Sequence, residues 1–427
     1  MGTSARMWAM EVGVLALCAG LACCGARAEA EPDANPPARE APMGEDDPAL
    51  RASALAGNDF AFELLRRSAP AGQNAVLSPL SVRHAMALAM VGAEGRTLEE
   101  LAAGLGMERD EEEAHAALAS MVAHAISTNP RVRENRPEVS FASRIWLQDG
   151  YALADGYESR VGAAYGAAFQ TIDFGAGPDR ARRQVNAWIE DQTHDRIRDL
   201  LPQGSVTDLT RLILSNAVYL NATWSRQFEA EDTRDGAFTL ADGTQVQTPM
   251  MHQTAWFRHR VARGYEAVQM GYVGTDLAML VVMPTRGSLE AFEASMDAAA
   301  WSEIVDGLGG GEVILTMPKF EQEQMADVGA SLRAMGMERA FTTDAEFGRM
   351  VSHEPVSIGG VFHGAFIRVD EAGTEAAAAT ALMMVGSAAP GEYVPPPRIT
   401  IDKPFLFAIA DTSTGAIVFL GRVVDPR

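Results

Sequence analysis

Cysteine is almost absent from this chain. Its three cysteines, Cys18, Cys23 and Cys24, all lie within the first 24 of 427 residues. A folded domain that begins beyond them contains no disulfide and no cysteine nucleophile. Its stability must therefore come from packing, for which an apolar fraction of 47% is sufficient.

Positive charge is also scarce, and the formal net charge is −22. Nucleic acid and anionic membrane surfaces are themselves negative, so this chain would be repelled by both. Neither is expected as a partner.

Local enzyme motifs are missing as well. The chain has no Gly-x-Ser-x-Gly elbow, no His-Glu-x-x-His helix and no phosphate-binding glycine loop. The glycines of Gly307 to Gly311 are interpreted as a flexible turn. We expect no cofactor, no metal and no catalytic residue. A Ser/His/Asp triad leaves no local signature because its members need not be adjacent, so a surface hydrolase stays open as the less favoured alternative.

The N-terminus is typical of an exported protein. Arg6 precedes an apolar run from Val12 to Cys24, and Ala26-Arg27-Ala28 resembles a small-x-small cleavage site. This predicts a signal peptide over 1–28. The apolar run is too short to span a bilayer as a helix. The alternative is lipoprotein processing at Cys23. Either route makes the protein extracellular, periplasmic or anchored to the cell surface by a lipid.

Residues 29–48 are acidic and rich in proline and lack hydrophobic periodicity, which predicts a disordered tether. Beyond them, helical and strand-like patterns alternate up to the C-terminus without an internal repeat. A first helix is predicted from Ala49 to Arg67.

The stretch from Val369 to Ser387, VDEAGTEAAAATALMMVGS, carries two conflicting signals. Its alanines and methionines favour helix, yet it follows a strand-like segment and precedes a proline-rich one. Small neutral side chains would let such a segment lie exposed as a loop or enter a sheet as an extra strand. As a strand it would place on one face Thr374, Ala376, Ala378, Thr380, Leu382 and Met384.

Two motifs in this region resemble a known family. Asp370 to Thr380, DEAGTEAAAAT, resembles the hinge of the serpins, and Ile399 to Ile409, ITIDKPFLFAI, is similar to their C-terminal signature. The resemblance runs in collinear order over residues 49–427. It implies one α+β domain with the serpin fold: about nine helices around three mainly antiparallel sheets, with an exposed reactive-centre loop.

The resemblance also implies site residues. Asn216 interrupts the apolar run Leu209 to Leu220, and His363 lies in the apolar segment VFHGAF. Ser81 is placed to cap a helix after the Ser78-Pro79 break. In serpins these positions form the "shutter", which lets sheet strands part: Ser78, Ser81, Asn216 and His363. The "breach" at the top of the sheet corresponds to Trp224, Lys319 and Glu371. The hinge corresponds to Glu371, Gly373, Thr374, Glu375, Ala376, Ala377, Ala378 and Ala379.

The implied function is inhibition of serine proteases, and of some cysteine proteases, by a suicide-substrate mechanism. The usual family spacing from Glu371 puts the reactive bond between Ser387 and Ala388, with Met384, Met383 and Leu382 as alternatives. No arginine or lysine lies between Glu371 and Pro397, so elastase-like, subtilisin-like or chymotrypsin-like targets are expected and trypsin-like ones are not. A non-inhibitory binding protein with the same fold is the main alternative.

Two departures from the family bear on partners and structure. The helix predicted over Glu108 to Ile126 is acidic where heparin-binding serpins are basic, so glycosaminoglycan activation is not expected. Thr193-His194-Asp195-Arg196-Ile197 stands where the family usually has Thr-x-Gly-Lys-Ile. A monomer is expected, whose membrane contact would be limited to a lipid at Cys23.

Overall fold

A computed structural model of the chain describes residues 47–107, 112–132, 136–165, 168–375 and 395–427. Nine α-helices occur within these ranges: α1 (Pro48–Ser68), α2 (Pro79–Val91), α3 (Gly95–Leu105), α4 (Glu112–Ala125), α5 (Tyr157–Tyr165), α6 (Pro178–Gln192), α7 (Leu289–Ala294), α8 (Ala298–Asp306) and α9 (Gly329–Ala334). Two short 3-10 helices lie at Ala230–Asp232 and Arg339–Phe341. None of the described helices is long and apolar enough to cross a membrane.

Fifteen strands are present in the same ranges: β1 (Ala75–Leu77), β2 (Glu138–Gln148), β3 (Ala168–Ile172), β4 (Leu212–Thr223), β5 (Arg234–Thr239), β6 (Gln245–Val261), β7 (Tyr265–Gly271), β8 (Leu277–Pro284), β9 (Gly309–Pro318), β10 (Phe320–Asp327), β11 (Gly360–Val369), β12 (Gly373–Thr374), β13 (Arg398–Thr400), β14 (Phe405–Asp411) and β15 (Ile417–Val423).

The central sheet is the six-stranded one, in the order β10-β11-β12-β4-β2-β3. Strands β4 and β11 are its middle. They run parallel and pair from Gly360 opposite Ile213 to Ala365 opposite Val218. Both are almost entirely buried, as expected for parallel strands with both faces covered. At one end of this pair the two-residue strand β12 lies between them.

The other nine strands form a second network in the order β1-β15-β14-β8-β7-β6-β9-β13, with β5 on β6. Strand β6 is 17 residues long and pairs with β5, β7 and β9 along different parts of its length. The second and third sheets expected from the family are therefore continuous through β6 in this chain.

Alternation along β11 divides its side chains between two apolar clusters. Val361, Ala365 and Ile367 face the main core, which includes α1, α2 and the nine-stranded network. Phe362 and Phe366 face the smaller cluster formed with α6 and the residues after it. The central sheet is thus covered on both faces, because strand side chains point alternately to opposite sides.

The prediction of a turn at Gly307 to Gly311 is wrong in part. Gly309, Gly310 and Gly311 are the first residues of β9 and pair with His259, Arg258 and Phe257. Gly310 is a glycine because the Trp256 ring lies over it: a Cβ there would be 2.2 Å from a ring carbon. Close packing against a large side chain therefore explains the glycine at position 310.

Candidate functional site

Two polar side chains face each other at the middle of the central sheet. Asn216 on β4 and His363 on β11 are register partners, and both are fully buried among apolar neighbours. A buried amide or imidazole without a hydrogen-bond partner costs on the order of 1–3 kcal/mol, so each of these side chains needs partners inside the protein.

The hydrogen bonds determine the tautomer of His363. The backbone N–H of Ser78 donates to His363 Nε2 at 2.9 Å, so the ring proton is on Nδ1 and donates to Asn216 Oδ1 at 2.7 Å. The Ser81 hydroxyl lies 2.6 Å from the same Asn216 oxygen. Asn216 Nδ2 in turn donates to Ser143 Oγ on β2 at 2.6 Å. One network therefore connects α2 with β2, β4 and β11.

The two serines take part differently from what the sequence suggested. The prediction that Ser81 caps α2 is wrong, because Ser78 is the N-cap residue and Ser81 lies within the helix. Ser78 contributes its backbone N–H, while its hydroxyl has no hydrogen-bond partner among the described residues. Ser78 makes no side-chain cap hydrogen bond, and Pro79 occupies the first position of α2. Proline favours this position because its fixed φ is already helical and its missing N–H has no partner within the helix.

Burial keeps His363 neutral. Its environment excludes water, which lowers the pKa of the imidazole to about 3 from an ordinary value of 6.5. The unfolded chain therefore binds a proton on this residue between pH 6.5 and 3 that the folded chain does not.

We expect the stability contributed by His363 to be complete above pH 6.5 and to fall as the pH is lowered toward 3. The loss from this residue alone should be about 2 kcal/mol between pH 6.5 and 5, at about 1.4 kcal/mol per pH unit. Urea unfolding of intact protein at several pH values measures it. His363→Gln should flatten the slope, whereas His353→Gln, at an exposed site, should not. An unchanged slope in His363→Gln would show that this imidazole is not the group that titrates.

The breach is built around β12. Gly373 and Thr374 pair with Thr223 and Ala222 of β4, and Thr374 also pairs with Val369 of β11. The start of the hinge is thus already part of the central sheet, at the point where β4 and β11 separate.

Trp224 holds the turn that leads into β12. Its backbone N–H donates to Ala372 O at 3.0 Å, and its indole Nε1 donates to Asp370 O at 2.9 Å. The indole stacks on Tyr272 with ring centroids 4.5 Å apart and planes 14° apart. The Tyr272 hydroxyl lies 2.6 Å from Thr374 Oγ1, so the same aromatic pair contacts both the turn and the strand.

Glu371 is held from the other side. Its carboxylate lies 2.8 Å from Lys319 Nζ and accepts from the Thr233 hydroxyl at 2.7 Å. Burial acts to raise the pKa of Glu371, but the bonds from Lys319 and Thr233 outweigh it and lower the pKa. Lys319 is 38% exposed, so the ion pair itself contributes on the order of 1 kcal/mol or less.

Gly373 is required by close approach of two backbones. Its φ is +159°, and a Cβ at this position would lie 2.1 Å from the carbonyl oxygen of Ala222. No rotation of a side chain relieves that contact, because the clashing atom is main chain.

We expect Gly373→Ala to force β12 out of its position and to impair entry of any strand that continues it. In the intact protein, amide hydrogen exchange should increase at Trp224, whose N–H donates to the hinge. Gly243→Ala is the matched control: it makes the same change in a hairpin turn where nothing lies within 4 Å. Equal protection of Trp224 in both variants would contradict this account of Gly373.

Sequence reasoning missed several residues of this site. Tyr272, Thr233 and Ser143 contact the hinge or the shutter, yet each lies in a segment without a motif. Arg196 was noted only as a departure from the family, and the structure places its guanidinium against the carboxylate of Glu375. All four residues are close to the site in space but distant from it in sequence. A local sequence pattern does not indicate contacts of this kind.

Part of the predicted site lies outside the described residues. This holds for the hinge alanines Ala376, Ala377, Ala378 and Ala379 and for the reactive-bond candidates Ser387, Ala388, Met384, Met383 and Leu382. The remaining predicted residues fall into two groups in space: the shutter at the centre of the sheet, and the breach with Glu371, Gly373 and Thr374 at its end.

Comparison with known proteins agrees with this geometry. A family model described as serpin (serine protease inhibitor) matches residues 55–426. The chain belongs to the serpin family. A serpin-like protein of Thermococcus kodakarensis is 34% identical over 90% of this chain and 87% of its own length. Mouse antithrombin-III is 28% identical over 86% of this chain and 79% of its own length.

Solved structures show the same fold. Human thyroxine-binding globulin, complexed with thyroxine, is 27% identical and superimposes with a TM-score of 0.77 over 88% of this serpin and 99% of its own chain. Uncleaved ovalbumin superimposes with a TM-score of 0.76 over 88% of this serpin and 100% of its own chain. At 23% identity, this likeness supports the fold alone. Most serpins are protease inhibitors rather than enzymes, and the α+β serpin fold predicted for this chain is confirmed.

Proposed function

We propose that this serpin inhibits serine endopeptidases as a suicide substrate. The observation that carries the proposal is β12: two hinge residues already occupy the position between β4 and β11 that a longer inserted strand would fill.

The chemistry needed from the inhibitor is that of a substrate. The serine oxygen of the protease attacks the carbonyl carbon of the residue before the reactive bond, and the C–N bond breaks. The leaving nitrogen takes a proton and becomes the N-terminus of the downstream fragment. An acyl ester then joins the protease to the upstream part of the loop; with a cysteine protease it would be a thioester.

Insertion of that upstream part would trap the ester. Strands β4 and β11 separate, their six-residue parallel pairing is lost, and antiparallel ladders form on both sides of the new strand. Fifteen residues from Gly373 to Ser387 span about 50 Å as a strand, so the protease is carried along the molecule. Its active site is pulled out of the geometry that hydrolysis requires, and deacylation stalls.

The register of β12 assigns each loop residue a position in the inserted strand. Thr374 lies opposite Ala222 and Val369, so the residue six places farther, Thr380, falls opposite both Asn216 and His363. Side chains of register partners lie on the same face of a sheet. In the inserted strand the Thr380 hydroxyl would therefore point toward His363 Nδ1 and Asn216 Oδ1, whose hydrogen bond breaks when the strands separate. One hydroxyl can accept from His363 Nδ1 and donate to Asn216 Oδ1.

The small side chains of the hinge suit the opposite face. Gly364 of β11 faces Ile197 and Leu200, and a Cβ on it would lie 2.8 Å from Ile197. In the inserted strand Ala379 would lie opposite Gly364. A bulky or charged side chain there would not fit, and such a serpin would be cleaved without trapping the protease.

The target class follows from the loop. With no arginine or lysine between Glu371 and Pro397, we propose elastase-like, subtilisin-like or chymotrypsin-like enzymes as targets. The alternative is a non-inhibitory role. Thyroxine-binding globulin in complex with thyroxine shows that this fold also binds a small ligand. The alanine hinge favours inhibition in this chain.

Mixing the purified protein with elastase, subtilisin and chymotrypsin should give a complex that survives denaturing electrophoresis. Mass spectrometry of the released fragment then identifies the bond: residues 388–427 for cleavage after Ser387, or 385–427 for cleavage after Met384. Trypsin is the control and should give no complex through this loop. Cleavage without any complex, or a cleaved form that melts no higher than the intact form, would exclude inhibition by insertion.

Thr380→Val tests the register directly. The change is nearly isosteric, and it should leave the melting of the intact protein unaltered but lower the stability of the cleaved form by about 2 kcal/mol, because two buried polar groups lose a partner. Thr374→Val is the control: its hydroxyl already contacts Tyr272 in the intact form, so both forms should lose stability. An equal loss in both forms for Thr380→Val would show that the inserted strand has a different register.

A further inference from the structure

One aromatic side chain is exposed on the nine-stranded network. Trp256 on β6 is 55% exposed, and within the described ranges it is the only aromatic residue among the exposed large apolar side chains. The next residue, Phe257, is 5% exposed and belongs to the main core. Because successive side chains of a strand point to opposite faces, Trp256 points away from that core. Leaving an indole in water forgoes the stability that its burial would give.

The strand beside Trp256 begins with three glycines. Gly310 of β9 pairs with Arg258, next to the pair formed by Trp256 and Glu312. A Cβ on Gly310 would lie 2.2 Å from the indole, and its three nearest atoms all belong to the six-membered part of the ring. The ring therefore lies over β9. Glycine weakens a strand, and its presence in one often marks the close approach of a ligand or of another backbone. Here the glycine makes room for an indole that the protein leaves exposed.

The other side chains on this face are mostly polar. β6 contributes Thr254 and Arg258, and β9 contributes Glu312 and Ile314. Only Ile314 has an apolar side chain, and that residue is half-buried. Glu312 is exposed and lies directly opposite Trp256. The indole is thus a small apolar surface with a carboxylate beside it.

Two arginines on the same face are engaged by α8. Arg258 donates from Nη2 to Val305 O at 3.3 Å, and Arg260 donates from Nη1 to Glu303 O at 3.2 Å. Both carbonyls lie in the last turn of α8, the negative end of the helix dipole. Their charge is therefore partly compensated within the protein. With Glu312 beside the ring and a net charge of −22, an anionic ligand is disfavoured.

The size of this apolar surface limits what it can bind. A stable protein interface buries about 800 Å² on each partner and has an apolar centre, and a single indole among polar groups does not provide one. A quaternary ammonium group is typically held by a cage of several aromatic rings, and here there is one. A sugar ring matches better. It has a flat face of C–H groups, which the negative face of an aromatic ring attracts, and hydroxyls around its edge.

We propose that Trp256, lying over Gly310 and flanked by Glu312 and Arg258, is a platform that binds a sugar ring of a neutral polysaccharide. The sugar stacks its C–H face on the indole, and its hydroxyls donate to the Glu312 carboxylate and accept from the Arg258 guanidinium. An open platform of this size binds one ring weakly, with a Kd on the order of 1 mM. It is then occupied only where sugar rings are abundant. A polysaccharide meets this condition, and the single glycan of a glycoprotein does not.

The experiment uses the intact protein and soluble neutral oligosaccharides: cellohexaose, laminarihexaose, maltohexaose and chitohexaose. At least one should shift the indole N–H signal that Trp256→Phe removes from the NMR spectrum. Calorimetry then gives the affinity. Trp256→Ala should weaken binding at least about 10-fold, and Trp256→Tyr, which keeps an aromatic ring, should weaken it less. Leu209→Ala removes another exposed apolar side chain and should leave the affinity unchanged.

Two neighbouring glycines provide a matched pair of variants. Gly310→Ala puts a methyl group into the space of the indole and should weaken binding roughly 5-fold by displacing the ring. Gly309→Ala adds the same methyl group to the same strand, where nothing lies within 4 Å, and should bind like the parent. Thermal melting shows whether each variant folds. If Gly310→Ala does not fold, Trp256→Ala decides.

Four results would overturn the proposal: no shift of the Trp256 signal with any of these oligosaccharides, equal affinity of Trp256→Ala and the parent, equal losses in the two folded glycine variants, or a shift caused only by heparin or choline. Retention of the protein by an immobilised glycoprotein, but by no immobilised neutral polysaccharide, would also contradict it. No protease takes part in these measurements, so their outcome is independent of whether the serpin inhibits one.

Discussion

The structure depends on the bond between His363 and Asn216. It joins two parallel strands at the middle of a sheet that is covered on both faces, and His363 is held neutral and in one tautomer by the backbone of Ser78. Separating the strands would break this bond and leave His363 Nδ1–H without its acceptor, a cost on the order of 1–3 kcal/mol. In the proposed mechanism, an incoming strand would have to replace both the ladder and this polar contact.

The end of the sheet has a different construction. There β4 and β11 have already separated, and β12 lies between them because Gly373 allows its backbone to approach Ala222 closely. The hinge is contacted from the core by Tyr272, from the edge by Lys319 and Thr233, and from the covering face by Arg196. In the proposed mechanism, strand entry would begin at the breach, where β4 and β11 are already apart, and the shutter would be the next barrier.

Alternation along the strands connects these features. Every second residue of β11 faces the main core, and the intervening ones face α6 and the residues that follow it. In the proposed mechanism, an inserted strand would therefore have to fit two surfaces at once. Toward the core it would need apolar side chains with one hydroxyl at the shutter, and toward Ile197 and Leu200 it would need very small ones. The loop sequence Thr374 to Leu382, with threonine at 380 and alanine at 379, meets both requirements.

Local pattern determined much of the secondary structure and the composition of the hinge: the apolar runs became β4 and β11, and the alanine-rich segment was recognised by resemblance. Tertiary structure decided the rest. A backbone N–H rather than a hydroxyl makes Ser78 part of the shutter, and Gly309 to Gly311 belong to β9, where the Trp256 ring lies over Gly310. Ser78 and His363 are 285 residues apart, and such contacts arise from strand pairing and packing of whole elements. Side-chain periodicity reports which face of a strand is buried, but it carries no information about which distant atom will lie against it.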